Sequence, residues 1–356
     1  MNPARYAERR EKLRALMRAR NLSALLLTLD ANRYYVSGFE LQDHQMNESS
    51  GCVLVLADGN DWLCTDARYD DAAKRLWNPS RIFIYSGDAA SALNTLIRDK
   101  VSGLVGFEAN AMTVQFHKTF AEGLSLEAAD GLVEQLRIIK EPEEIACMEA
   151  SAALNHKLME WLPGTLVVGK TEEEIAWSVE RFFRENGAES LAFPCITAVG
   201  PNAALPHAVP GKTPLTENTC ILVDVGCRLG DYCSDQTRTF WIGDKPTDRF
   251  METLSLTRTA QEMAIAAIHP GAKTADIYAI ARKYLDQNNV GDHFTHGLGH
   301  GVGLQTHEAP SFNPRNATVL QPGMIITVEP GLYYPEWGGV RWEYMVLVTD
   351  DGCRIL

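Results

Sequence analysis

No two of the eight cysteines in this 356-residue chain form a CxxC pair, which argues against zinc-ribbon and thioredoxin-type motifs. A chain of this length also has no need of disulfide staples. Positive charge is in deficit: 33 Lys and Arg stand against 46 Asp and Glu, a formal net charge of −13. Proteins that work on nucleic-acid backbones or anionic membranes carry a basic footprint, so neither partner is expected. Long apolar runs are missing too. Ala24–Leu27 is the longest near the N-terminus, far short of the ~20 residues that span a bilayer. The first twenty residues carry charges throughout, unlike a secretory leader. With dispersed, reduced thiols, these absences lead to an expected cytoplasmic location. Hydrophobic residues make up 46%, with 27 Gly and 16 Pro, an ordinary globular composition; at about 150 residues per domain, the length suggests roughly two domains.

What is present falls into two unlike parts. Over 1–135, short helical and strand patterns alternate. Tyr6, Leu13, Leu16 and Met17 suit an amphipathic helix and Ala24–Leu29 a buried strand. Strands over 52–57 and 62–65 flank the turn Asp58-Gly59-Asn60-Asp61, and strands over 81–85 and 104–107 flank a helix over 89–98. This reads as a small α/β domain. Asp66, Arg68 and His117 stand alone in it, without catalytic spacing, and are expected to do surface or core duty.

Over 136–356 the helices lengthen. Ile145, Met148, Ala152, Met159 and Leu162 share a helical face that stops at Pro163-Gly164, and Thr171 to Glu174 form a capping box opening a helix with Ile175, Val179, Phe182 and Phe183 that ends before Gly187. The same events recur. A helix with Phe250, Leu254, Thr257, Ala264 and Ile268 stops at Pro270-Gly271, and Thr274 is expected to cap a helix with Ile277, Ala281, Tyr284 and Leu285. Thr171 and Thr274 lie 103 residues apart, which suggests an internal duplication.

Carboxylates sit inside the apolar strands. Ile221–Gly226 contains Asp224, and Asp235 opens a second strand after the connection over 227–231. Alternation puts Asp224 with Leu222 and Gly226, and Asp235 with Thr237 and Thr239, so antiparallel pairing would let the two acids face each other. The second half repeats the pattern: Ile325–Val328 runs into Glu329, and Glu343 follows after a loop over 334–339, at offsets of 105 and 108. An ionised carboxylate in such a strand costs several kcal/mol unless it is paired or binds a metal. Arg228 and Arg238 are the partners nearest in sequence. Four carboxylates related by a pseudo-two-fold make a hard-cation site, and with one imidazole they suit two divalent ions. His296 and His300 lie four apart in a segment with too many glycines for a helix; an extended conformation still puts both on one face, with glycines allowing close approach to a site. The segment is neither a dinucleotide loop nor an HExxH motif. His207 and His307 share His-x-x-Pro at an offset of 100.

The set VDVG (223–226), SDQTRTF (234–240), HGLGH (296–300), THEAP (306–310), VEPG (328–331) and VRWE (340–343) resembles the prolidase and aminopeptidase P branch of the pita-bread metallopeptidases, family M24. NRYYVSGF (32–39) and TDARY (65–69) look like the creatinase-type N-terminal domain of that branch, so the resemblance covers essentially the whole chain. It implies an α/β (α+β) protein: a creatinase-like N-terminal domain over 1–135, then a pita-bread catalytic domain with internal pseudo-two-fold duplication over 136–356. It implies five metal ligands, with Asp235 and Glu343 bridging two divalent ions, Asp224 completing one site, and His300 with Glu329 the other. Manganese or cobalt are the first expectation, zinc or iron the next. The implied substrate is a peptide with proline at the second position, cut after its N-terminal residue by a hydroxide bridging the ions. Glu329 would move the proton, His207 and His307 would hold the substrate and stabilise the tetrahedral intermediate, and His296 and Arg341 would support the ligands. A homodimer is implied as well. Methionine aminopeptidases share the metal set but usually lack the N-terminal domain, and the five intact ligands argue against creatinase and against a non-catalytic peptide-binding module. Where the family commonly has Arg-x-Glu-Asp, this chain has Arg341-Trp342-Glu343-Tyr344. Alternation puts Tyr344 on the face opposite Glu343, so the departure bears on specificity and not on the ligand set. Three activities are compatible: a Xaa-Pro aminopeptidase, a Xaa-Pro dipeptidase, and a non-peptidase hydrolase or lyase of a small amidine or compatible solute.

Overall fold

Strand β1 (Ala24–Leu27) is apolar and buried at all four positions, the pattern of a strand covered on both faces. In the computed structural model, which describes residues 3–43, 45 and 48–356, it is central to a six-stranded mixed sheet. β2 (Cys52–Leu56) and β3 (Trp62–Asp66) form the expected hairpin on one side, followed by β4 (Ile82–Tyr85). β5 (Leu104–Phe107) and β6 (Ser125–Ala128) run parallel to β1 on the other side. Helices α1 (Pro3–Ala19), α2 (Asp30–Ser37), α3 (Asp70–Leu76), α4 (Ala89–Lys100), α5 (Val114–Phe120) and α6 (Glu134–Arg137) complete this unit, and α4 and α5 bury Leu93, Ile97 and Phe120 against Leu26 and Leu54. β1 stops two residues short of the expected end. The Glu108 carboxylate accepts the backbone N–H groups of Thr28 at 2.6 Å and Leu29 at 2.7 Å, which turns the chain into α2. Asp66 caps the turn Ala67–Tyr69 and pairs with Arg68 at 2.9 Å, and the His117 ring packs 5.0 Å from Phe107.

The chain divides into two compact units, 1–137 and 138–356, and the second is built twice. The first copy runs α7 (Pro142–Trp161), α8 (Glu172–Glu185), β7 (Ser190–Leu191), β8 (Ile196–Val199), β9 (Thr219–Val225), β10 (Cys227–Leu229), β11 (Tyr232–Cys233) and β12 (Gln236–Ile242). The second runs α9 (Asp248–Ala266), α10 (Thr274–Gln287), β13 (Gly299–Gly301), β14 (Glu308–Phe312), β15 (Ile325–Val328), β16 (Gly331–Tyr334), β17 (Gly338–Arg341), β18 (Tyr344–Val348) and β19 (Cys353–Ile355). Equivalent backbone bonds tie down the entry to the second helix of each copy. Gly169 N and Leu215 N donate to Leu215 O and Lys170 O at 2.8 and 2.7 Å; Gly271 N and Leu320 N donate to Leu320 O and Ala272 O at 2.9 and 2.8 Å. The cores match as well. Ile175, Val179 and Phe183 of α8 pack with Ile221 and Val223 of β9, and Ile277, Ala281 and Leu285 of α10 pack with Ile326 and Val328 of β15.

Three local expectations are corrected. Thr171 does cap α8, accepting from Glu174 N at 3.3 Å, but Thr274 does not cap α10. Its hydroxyl donates to Asn316 O and its N–H to Thr318 O, so Lys273 takes the cap position. Asp224 and Asp235 do not face each other: Asp224 lies opposite Thr237, and Asp235 sits just before β12, so the two acids are diagonal neighbours. The second carboxylate hairpin is interrupted. β15 pairs directly with β18, ending at Val328 opposite Tyr344, while β16 and β17 form a separate hairpin between them. Among the described residues, no helix is long and apolar enough to cross a membrane.

Phe183 and Leu285 are equivalent, fully buried positions. Truncation of either to Ala is expected to cost about 2–5 kcal/mol in urea unfolding, the range for large-to-small core substitutions; a loss under about 1 kcal/mol at either would mean that the two cores are not comparably packed.

Candidate metal centre

Strand ends deliver the acids to one place. Asp224 is the penultimate residue of β9, Asp235 immediately precedes β12, Glu329 follows β15, and Glu343 precedes β18. The two copies meet where Glu343 N donates to Thr237 O at 3.2 Å and Thr237 Oγ1 donates to Glu343 Oε2 at 2.7 Å. The result is a cavity of about 440 Å3 lined by all nine residues singled out in the sequence: Asp224, Asp235, Glu329, Glu343, His207, His296, His300, His307 and Arg341.

His300 lies in the middle of β13 between two glycines. A Cβ at Gly299 would sit 2.0 Å from Thr327 O, and one at Gly301 would sit 2.1 Å from Ala309 O. The glycines therefore let β13 approach its neighbouring strands, which is a different reason from the approach to a ligand expected from sequence. His300 Nδ1 lies 3.0 Å from Gly301 O and must donate to it, which leaves the Nε2 lone pair facing the acids. Nε2 is 3.3 Å from Glu329 Oε1 and 3.6 Å from Asp235 Oδ2. The His307 ring stands edge-on to His300 with centroids 4.2 Å apart, and His207 is exposed at the cavity rim.

Charge in the cavity is unbalanced. Arg341 Nη2 donates to Asp224 Oδ2 at 2.6 Å, but among the described residues no Lys or Arg forms an ion pair with Asp235, Glu329 or Glu343. Neither arginine near in sequence helps. Arg228 donates to the carbonyls of Asp231 and Leu304, and Arg238 donates to those of Thr237 and Glu343 while stacking on Tyr344 and Trp342. Tyr344 thus faces away from the acids, as alternation indicated. Burial first, then the mutual repulsion of the carboxylates, holds the carboxyls of Asp235 and Glu343 well above their ordinary values; burial likewise raises Glu329. Burial lowers the imidazoles of His296, His300 and His307, favouring neutral rings.

These residues fit a divalent cation. Ligand atoms of Asp235, His300 and Glu343 lie within 4.8 Å of one another, and Asp224 Oδ1 is buried without a hydrogen-bond partner. The donors are carboxylate oxygens and one imidazole, a hard set. Cys195 lines the cavity, but burial pushes its thiol up to about 12, so it is no soft competitor.

Sequence reasoning missed Tyr333. Its hydroxyl accepts from Arg341 Nη1 at 2.9 Å and donates to His296 Nε2 at 2.7 Å, while His296 Nδ1 donates to Gly297 O at 2.6 Å. One chain of hydrogen bonds therefore links His296 to the guanidinium that holds Asp224. Thr237 was noted only as a face-mate of Asp235, yet it bridges Arg341 Nε at 3.1 Å and Glu343. Neither role has a spacing signal, since each depends on the β16–β17 hairpin returning Arg341 to β12.

The model of metallopeptidase family M24 matches residues 146–350, and that of the Creatinase/Prolidase N-terminal domain matches 9–139. The chain belongs to metallopeptidase family M24. A curated M24 relative, the Xaa-Pro dipeptidase of Pyrococcus furiosus, is 31% identical over 98% of this chain and 97% of its own length. Among solved structures, the Xaa-Pro dipeptidase from Bacillus anthracis superposes with a TM-score of 0.91 at 31% identity, covering 98% of this chain and 97% of that one. The X-Pro aminopeptidase from Thermotoga maritima gives 0.82 at 28% identity, over 94% and 95%. The chain is accordingly a hydrolase of the Xaa-Pro branch of M24, whose chemistry is metal-dependent.

Acids with raised values bind more protons in the folded chain than in the unfolded one, so their contribution to stability declines as pH rises above about 4. A cation displaces those protons and binds better as they leave. The rise in Tm on adding manganese should therefore grow between about pH 5.5 and about pH 8; an equal rise at both would place the binding groups elsewhere.

Proposed function

We propose that this chain is a dinuclear Xaa-Pro aminopeptidase, hydrolysing the bond between an N-terminal residue and a following proline. The observation that carries the reading is the uncompensated set of buried Asp235 and Glu343 with half-buried Glu329, beside His300 and a half-satisfied Asp224, in a chain of family M24. Asp224, Asp235, His300, Glu329 and Glu343 would hold two divalent ions; manganese suits an oxygen-rich donor set, and the family resemblance implies manganese or cobalt. When bound, such ions supply Lewis acidity toward water and the scissile carbonyl.

The rest follows from the chain's own groups. Glu329, with its carboxyl raised by burial, accepts a proton from the attacking water and passes it to the leaving proline nitrogen. His207 and His307 hold the substrate and donate to the oxygen that gains charge. Arg341, fixed by Thr237, Tyr333 and Asp224, orients Asp224 and stays cationic. Phe193, Ile196 and Ala208 form an apolar wall against which a pyrrolidine ring loses water. The N-terminal domain over 1–135, a homodimer and a cytoplasmic location belong to this proposal, by resemblance and composition. A Xaa-Pro dipeptidase fits the same cavity equally well, and two of the relatives named above are dipeptidases.

Asp235→Asn should lower bound metal and turnover by more than the about 10–100-fold typical of losing a supporting residue. Tyr333→Phe should fall inside that range, with metal retained. Two ions kept per chain in Asp235→Asn would refute the ligand assignment. Wild-type chain with manganese or cobalt that cleaves no Xaa-Pro peptide would favour the non-peptidase reading.

A further inference from the structure

Beside the catalytic cavity runs a second depression of about 640 Å3, and the two share a wall: Phe193, Pro194, Cys195 and Pro210 line both. Its other side is the outer face of α8, with Glu173, Trp177, Glu180 and Arg184. Trp177 leaves 64% of its surface exposed. An indole is an amphipathic contact residue, suited to an apolar contact at a wet surface.

The internal duplication provides a control. The equivalent positions of α10, including Tyr278, Ala279, Arg282 and Asp286, line a hollow of about 590 Å3. A depression along this helix is therefore a product of the fold. Yet Trp177 has Ala279 as its counterpart, so the fold has no need of an indole there. The α10 hollow shares no lining residue with the catalytic cavity, and an intermediate hollow that shares Tyr278 and Arg282 with it meets the cavity lining at His296 and Gly297. The indole is on the side whose depression shares lining residues with the site.

An enzyme that removes one N-terminal residue has a single residue on one side of the scissile bond. Everything else in a longer substrate lies on the other side, so a groove adjoining the cavity is placed to receive that part. We infer that the groove along α8 receives the segment of the peptide substrate downstream of proline, with Trp177 as its apolar floor. The natural substrates are then peptides longer than two residues. Charge adds a preference. Arg184 is occupied by the carbonyl of Glu189 and lies 3.8 Å from Glu180, whereas Glu173 has no ion pair among the described residues. The net negative charge favours a basic side chain past the proline. This assignment rests on the Xaa-Pro peptidase reading and extends it.

The test is steady-state kinetics of the manganese-loaded full chain on a Xaa-Pro dipeptide and on a pentapeptide with proline second and lysine fourth. Trp177→Ala should raise KM for the pentapeptide about 2- to 12-fold, the equivalent of one lost aromatic contact, and leave dipeptide kinetics within about twofold. Tyr278→Ala, on the α10 side, should change neither. Trp177→Ala affecting both substrates alike, or neither, would overturn the assignment, as would a length-dependent effect of Tyr278→Ala. Sedimentation showing that Trp177→Ala dissociates an oligomer would give the indole to a second copy of the chain and overturn it too. Wild-type chain that cleaves the dipeptide while failing these expectations removes the groove alone; wild-type chain that cleaves neither peptide removes the Xaa-Pro reading and the groove with it.

Discussion

Among the described residues, three carboxylates without a guanidinium or ammonium partner, two buried and one half-buried, set the terms for residues 138–356. Asp235, Glu329 and Glu343 lie at strand ends in a cavity whose only arginine among the described residues, Arg341, is committed to Asp224. Desolvation of one unpaired carboxylate costs several kcal/mol, so the arrangement is tolerable only if protons or cations neutralise it. Holding protons is the response of the metal-free chain, seen in the raised carboxyls of Asp235 and Glu343. Holding divalent ions gives the same site a chemistry.

The duplication makes the convergence possible. Each copy can place acids at the ends of its own sheet, but neither can surround a cation alone. Thr237 and Arg341 join the copies: Thr237 of β12 bonds both Glu343 and Arg341, and Arg341 reaches Asp224 of β9. Tyr333 extends the join to His296. A packed, hydrogen-bonded frame of this kind fixes the acids before any ion arrives, which is the preorganisation that metal-assisted hydrolysis requires. The same two-fold leaves a hollow beside α8 and another beside α10, and their linings differ, with Trp177 in the first where the second has Ala279.

Much of this was legible in the sequence, for a physical reason. A carboxylate within Ile221–Val225 or after Ile325–Val328 violates strand patterning, and such violations concentrate where function is. The helices of both copies were readable from their apolar period, as was the β2–β3 hairpin from its turn residues. Register was not readable. Alternation gives a face but not a partner: it allowed Asp224 to face Asp235, and the register puts Thr237 there instead. The Thr274 cap failed because a long-range acceptor, Asn316 O, competes for the hydroxyl. Tyr333 was silent because its position depends on the separate β16–β17 hairpin, a tertiary feature with no local signature.

The central claim is that the buried acids form a two-ion centre. Bound metal per chain, measured by elemental analysis after equilibrium dialysis of the purified 356-residue chain against manganese, addresses it without reference to any substrate. Two ions per folded chain are expected. One ion or none, with the chain folded and the acids intact, would contradict it.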